Sequence, residues 1–223
     1  MNRLDLLAVL AGPWGDGTRP KDLFKLHVSK RPERFVSDIL AGLASKERRV
    51  QGGSAELASL VSEARPDLLY PHVDLFLENL TAKAPILRWE AVCTLGNLAS
   101  VDEQNKIGPR IEGIISCLSH ESIVLQGHAV RALGKLARAK PKLGPKALDA
   151  LIGAQENFPG NRIGFVVETM PAFAANPKLR TKAREFVEKW TTSEVRVVAS
   201  KARKAMKALG EEGEKPRVRK EKR

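Results

Sequence analysis

The chain has 223 residues, 43% of them apolar and 29% charged, a balance that excludes collagen-like and wholly disordered classes and leaves room for a sizeable core. Aromatic residues make up only 5%, so that core must come largely from Leu, Ile, Val and Ala. The net charge is +12, two cysteines are too few for a disulfide framework or a zinc cluster, and no apolar run approaches the roughly 18 residues of a membrane helix.

In chain order, Leu6 to Ala11 is an apolar run behind Asp5 that stops at Gly12-Pro13-Trp14. It lacks a small-x-small cleavage pattern, which predicts a short capping helix rather than a signal peptide, and a cytoplasmic protein. A second short helix is expected over residues 21–29, and residues 1–31 together should cap the apolar edge of the first repeat. From residue 32 onward, apolar residues recur at helical spacing in stretches separated by Pro, Gly, Asn or Ser. First helices are predicted over residues 32–44, 71–81, 109–118, 145–155 and 178–191. Most begin on or just after a proline, whose missing N–H would have had no partner in the first helical turn. Their apolar stripes align through Ile39, Phe76, Ile114, Ile152 and Val187. Second helices are predicted over residues 46–63, 85–100, 122–140, 161–175 and 193–209.

These pairs are copies of one unit. ILRWEAVCTLGNLA from Ile86 to Ala99 lies over VLQGHAVRALGKLA from Val124 to Ala137 without gaps, 38 residues on, matching Ala91/Ala129, Leu95/Leu133, Gly96/Gly134 and Leu98/Leu136. A step of 38 backwards puts Leu57 and Leu60 in the Leu slots, and a step of 37 forwards puts Met170 and Phe173 there. A fixed period of this length, made of helical pieces, predicts an all-α, right-handed solenoid of about five helical pairs over residues 32–209. Leu87, Ala91, Thr94, Leu95 and Leu98 share the inward face of a second helix, and small residues at Gly53, Ala91 and Ala129 let helix backbones approach closely. Beyond Leu209 the sequence reads GEEGEKPRVRKEKR, with Val218 as its one large apolar residue, so residues 210–223 are expected to be a disordered charged tail.

Arg88 followed by Ala91, Leu95, Gly96 and Leu98 resembles the second helix of the HEAT repeat family of α-solenoids. The resemblance covers about residues 32–209 and implies a helical-repeat scaffold. In that family the Arg pairs with an acid in the preceding turn to form an inter-repeat ladder; here Pro85 stands at the acid's position, and Gln126 replaces the Arg in the next unit.

Candidate chemistry is sparse. One HEAT-like enzyme family, deoxyhypusine hydroxylase, builds a di-iron site from several His-Glu pairs, whereas this chain has the single pair His120-Glu121, so no metal or other cofactor is expected. HEAT-like alkylpurine DNA glycosylases use a basic face, aromatic side chains and an acid. Of Trp14, Trp89 and Trp190, Trp190 falls on the first-helix apolar stripe and is expected in the core, while Trp89 lies beside Arg88 off the main apolar face, and no matching catalytic motif accompanies it. Cys93 and Cys117 fall at helical core spacing rather than in a strained nucleophile turn. An enzyme acting on a small molecule is therefore not expected.

Basic residues are the compositional deviation. Residues 178–209 carry ten basic and three acidic side chains, whereas residues 141–177 carry three of each. Arg196, Lys201, Arg203, Lys204 and Lys207 form a candidate patch for an anionic partner such as nucleic-acid phosphate, although stacking aromatics and base-reading motifs are missing. The leading expectation is a non-enzymatic scaffold for another protein. Its candidate surface is Arg49, Arg88, Trp89, Gln126, Arg131 and Arg162, taken as the exposed side of successive second helices.

Overall fold

Apolar spacing at 3.6 residues per turn yields helices throughout the computed structural model, which describes residues 4–211, and no strand occurs among them. The chain divides into two compact units, residues 1–135 and 136–223.

Unit 1 opens with α1 (Leu6–Ala11), whose N-cap Asp5 accepts the Ala8 N–H, and α2 (Pro20–Leu26), which starts on a proline. Two 3-10 turns lead into α3 (Val36–Leu43), the first helix of the first pair, and α4 (Arg48–Ala64) is its partner. The next pair begins at Pro66 rather than Pro71: α5 (Pro66–Leu69), a 3-10 turn at Tyr70–His72 and α6 (Val73–Glu78) together stand where the sequence predicts one helix. Pro71 has no N–H to give to an i→i−4 bond, so the helix tightens there and resumes beyond. Its partner is α7 (Pro85–Leu98). The third pair is α8 (Ile111–Ile115), flanked by 3-10 turns, and α9 (Ile123–Ala139), inside which the boundary between the units falls.

Unit 2 contains α10 (Gly144–Gly153), α11 (Ile163–Thr169), α12 (Pro177–Glu188) and α13 (Arg196–Glu211). The expected helix over residues 161–175 is shortened to α11 and continues as a 3-10 turn at Met170–Phe173, because Pro171 cannot donate. Helix α13 runs two residues into the expected tail, and the remainder, residues 212–223, lies outside the described residues.

The repeat register reappears as burial. Leu57, Leu95 and Leu133 in unit 1 and Met170 in unit 2 are fully buried in the first Leu slot. In the second slot Leu98, Leu136 and Phe173 are buried while Leu60 is half-buried. Ile39, Phe76, Ile114 and Val187 are core residues as expected, but Ile152 is half-buried and its neighbour Leu151 takes the core position, so that repeat is one residue out of phase.

Two glycines permit approaches that a Cβ would block. A Cβ on Gly53 would lie 2.6 Å from Leu10 Cδ2 and 3.0 Å from Trp14 Cζ2, so a glycine in α4 is what lets the cap settle onto the first pair. Arg49 then donates to Gly12 O at 3.3 Å, and Trp14 Nε1 donates to Leu10 O at 3.0 Å. On Gly96 a Cβ would come within 2.8 Å of Ala132 Cα, which ties α7 to α9 backbone against backbone. Asp102, buried in the turn after α7, accepts the Tyr70 hydroxyl at 2.7 Å and the Lys106 and Ile107 N–H groups at 2.8 and 3.3 Å. That clamp holds the turn in which Asn105 takes a left-handed φ of 53°.

Candidate interaction surfaces

Polar side chains of unit 1 meet in a row set by the 38-residue step. Asn97 on α7 is buried, and its amide donates to Ser59 O at 3.2 Å and Ser62 Oγ at 2.8 Å, both on α4. Its carbonyl oxygen accepts from Lys135 Nζ on α9. Ser59, Asn97 and Lys135 occupy the same place in three successive second helices, so this row, and not Arg88, is the inter-repeat polar ladder of unit 1. Arg88 instead points its guanidinium at Cys117 Sγ, 4.0 Å away, and its buried Nε has no hydrogen-bond partner.

The six residues expected to form an exposed surface do not share one environment. Arg49 and Arg131 are exposed, and Arg88, Trp89 and Arg162 are half-buried. Gln126 is a correction: it is buried, with 5% of its surface exposed. It follows Arg88 in register, and the same place holds the buried Val50 in α4 and Ile163 in α11, so the position faces the helix layer. A polar side chain there does not make the position an exposed one.

Sequence reasoning passed over the groups beside Trp89. Burial chiefly, with the Glu56 charge on α4 adding to it, pushes the Glu90 carboxyl on α7 up to about 7 against the polar contacts with Ser59 and Trp89 and the charge of Lys21. Glu56 itself is raised by burial, with Lys21 pulling the other way. On α9, burial and the Arg131 charge lower His128 to about 4, and its buried Nδ1 lacks a partner. Burial likewise raises both thiols, although Cys93 is half-buried rather than in the core like Cys117, so neither is poised as a thiolate nucleophile. His120, of the single His-Glu pair, uses Nδ1 to accept the Ser122 N–H at 3.0 Å, a turn contact.

In unit 2 the basic residues separate onto two sides of α13. Arg196, Arg203 and Lys207, at i, i+7 and i+11, share the solvent face, and Arg203 donates to Thr191 O at 3.4 Å. Lys201 lies on the side toward α11, where Nζ is 2.7 Å from Glu168 Oε2 and 5.5 Å from the Phe165 ring centroid. Lys204 stands between the two sides, exposed. A groove of about 380 Å3 runs between α11 and α13 beside it. Trp190, expected in the core, is half-buried in the turn after α12, its ring tilted against Phe186 at 6.3 Å.

Helical pairs in register, buried slots repeated at 37 to 38 residues and a capped first pair define an all-α repeat solenoid of the HEAT and armadillo-like kind. Solved structures agree. A designed armadillo repeat protein superimposes with a TM-score of 0.62 at 18% identity, over 92% of this chain and 98% of that one. A designed armadillo repeat protein in complex with the peptide (KR)4 gives 0.61 at 17% identity, over 92% of this chain and 90% of that one. An engineered protein of a structural genomics consortium gives 0.61 at 17% identity, over 93% and 99% of the two chains. No family model and no curated protein matches the sequence. No helix among the described residues is long and apolar enough to cross a membrane.

Proposed function

We propose that the chain is a non-enzymatic scaffold that binds another protein or a peptide through the faces of its second helices. In unit 1 the surface comprises Arg49, Trp89, Glu90 and Arg131 with the exposed part of Arg88; Arg162 is a separate candidate of unit 2, and Gln126 is excluded by its burial. One observation carries this reading. Glu90 is a desolvated carboxyl beside an indole, raised by the like charge of Glu56 and only partly relieved by Lys21. A partner that delivers a cation there relieves the repulsion and stacks on Trp89, so association is favoured where the isolated surface is strained electrostatically. The similarity in fold to a designed protein in complex with (KR)4 is in keeping with a peptide on such a face.

Affinity capture from lysate with the intact chain and with the double variant Trp89→Ser, Glu90→Gln tests the reading. Specific proteins should be retained by the first and lost with the second, while circular dichroism stays the same. Capture unchanged by the double variant would overturn it.

A second reading, phosphate binding, is favoured by the Arg196, Arg203 and Lys207 stripe on the solvent face of α13. Three phosphate contacts to duplex DNA would give a slope of roughly −3 in log affinity against log salt. A protein interface centred on an indole gives a much flatter dependence, and nuclease treatment leaves its captured proteins in place.

A further inference from the structure

The groove between α11 and α13 combines features that point to one kind of occupant. Its floor is apolar, made by Val197, Ala205 and Ala208 of α13 and by Pro171 after α11. Val197 keeps 48% of its surface exposed, while the next residue, Val198, is fully buried. An exposed β-branched residue in a concave place gains from being covered, at about 25 cal/mol per Å2. The charges along the walls are unequal. Lys201 lays its stem across Gly164, where a Cβ would sit 3.1 Å from Lys201 Cδ, and its ammonium is matched by Glu168 and the Phe165 ring. Three residues on, Lys204 lines the same groove with no hydrogen bond or ion pair among the described residues. The site therefore presents an apolar floor, a neutralised Lys–Glu wall and one unmatched cation, next to the basic stripe of α13.

We propose that this groove takes a short segment of an acidic partner protein, with one apolar side chain seated on Val197 and a flanking carboxylate on Lys204. The proposal rests on the scaffold reading and supplies a second contact on unit 2. A volume of about 380 Å3 sits at the low end of ligand sites, roughly 300 to 1,000 Å3, which suits one or two side chains rather than a folded domain. Nucleic acid fits less well: phosphates have no use for the apolar floor, no aromatic side chain lines the groove, and the Phe165 ring is already occupied by Lys201. A basic segment would meet ten like charges against three opposite ones over residues 178–209.

Methyl and amide NMR titrations of the full chain near physiological salt test the proposal with four probes. These are an acetylated, amidated peptide Asp-Glu-Leu-Phe-Glu-Asp, its form with Ser for Leu and Phe, its form with Lys for every acid, and a 12-base-pair DNA duplex. The first should shift the Val197 methyls and Ala205, and the other three should shift those signals less. Lys204→Glu should weaken the first peptide about tenfold, and Val197→Ser about three- to tenfold. Lys178→Glu, the same charge change away from the groove, should weaken it less than twofold. Equal shifts at Val197 with the Lys peptide or the duplex, or equal effects of Lys204→Glu and Lys178→Glu, would overturn the proposal. Absence of shifts at Val197 with millimolar acidic peptide would overturn it too. Shifts around Trp89 with the Lys peptide would leave the scaffold reading standing.

Discussion

Unit 1 joins three second helices through a largely buried polar row, whereas in unit 2 the second helices α11 and α13 meet through a partly exposed ion pair. Asn97, Ser59, Ser62 and Lys135 join three helices, and Asp102 ties the following turn to Tyr70. Two ion pairs of unit 2, Lys182 with Asp149 and Lys201 with Glu168, each have a carboxylate more than half exposed. One repeat pattern thus supports two polar layouts. Buried polar groups that are mutually satisfied fix which helix lies beside which, and leaving one unmatched is costly. Exposed pairs add little to stability and leave charge available for partners.

The largest effects should be common to both units. Leu95→Ala in unit 1 and Met170→Ala in unit 2 occupy one slot and are fully buried, so each should cost about 2–5 kcal/mol in denaturant unfolding. A cost below about 1 kcal/mol at either would break the equivalence of the two repeats.

Asn97→Ala should cost about 1–3 kcal/mol, because it removes the buried amide that donates to Ser59 O and Ser62 Oγ and takes a partner from Lys135. A loss much smaller than this would show that the polar row does not hold unit 1 together. Chemical denaturation followed by far-ultraviolet circular dichroism reads the difference.

The pH response sharpens the contrast, since both strongly shifted groups lie in unit 1. The folded state holds the Glu90 proton up to about pH 7, above the ordinary carboxyl value of 4.5, so stability falls as pH rises through that window. Glu90→Gln should therefore be more stable than the parent at pH 8 by about 1–3 kcal/mol, with the gain gone near pH 4. His128 acts in the other direction. Its value near 4, below the ordinary 6.5, means that stability is lost as pH drops from about 6.5 toward 4. Thermal melts of parent and Glu90→Gln across pH 4–8 that ran parallel would refute the Glu90 assignment.

The smallest effect belongs to unit 2. Lys182→Ala, which removes the pair with Asp149, should change stability by less than about 1 kcal/mol. A larger loss would mean that surface pairing stabilises unit 2 as the buried row stabilises unit 1.

Much of the fold was legible in the sequence, because a 38-residue repetition of Ala, Leu, Gly and Leu exposes which positions must be buried together. The same repetition carries a signal for the polar row: Ser59, Asn97 and Lys135 each sit between two core positions in the same slot. Helix breaks were less legible. Pro71 and Pro171 mark them, yet a proline at a helix start and one inside a helical run look alike until the i→i−4 partners are known.

By itself, then, the sequence determined the helical-repeat class, the register of the core and the concentration of positive charge near its end, since periodicity and composition are local properties. Only the tertiary structure decided exposure and company. It placed Gln126 inside and left Trp89 beside a desolvated Glu90. It paired Lys201 with Glu168 while leaving Lys204 unmatched, among the described residues, over an apolar floor. Those outcomes depend on side chains brought together across helices about 35 residues apart, and on how much water remains between them, which linear spacing does not encode.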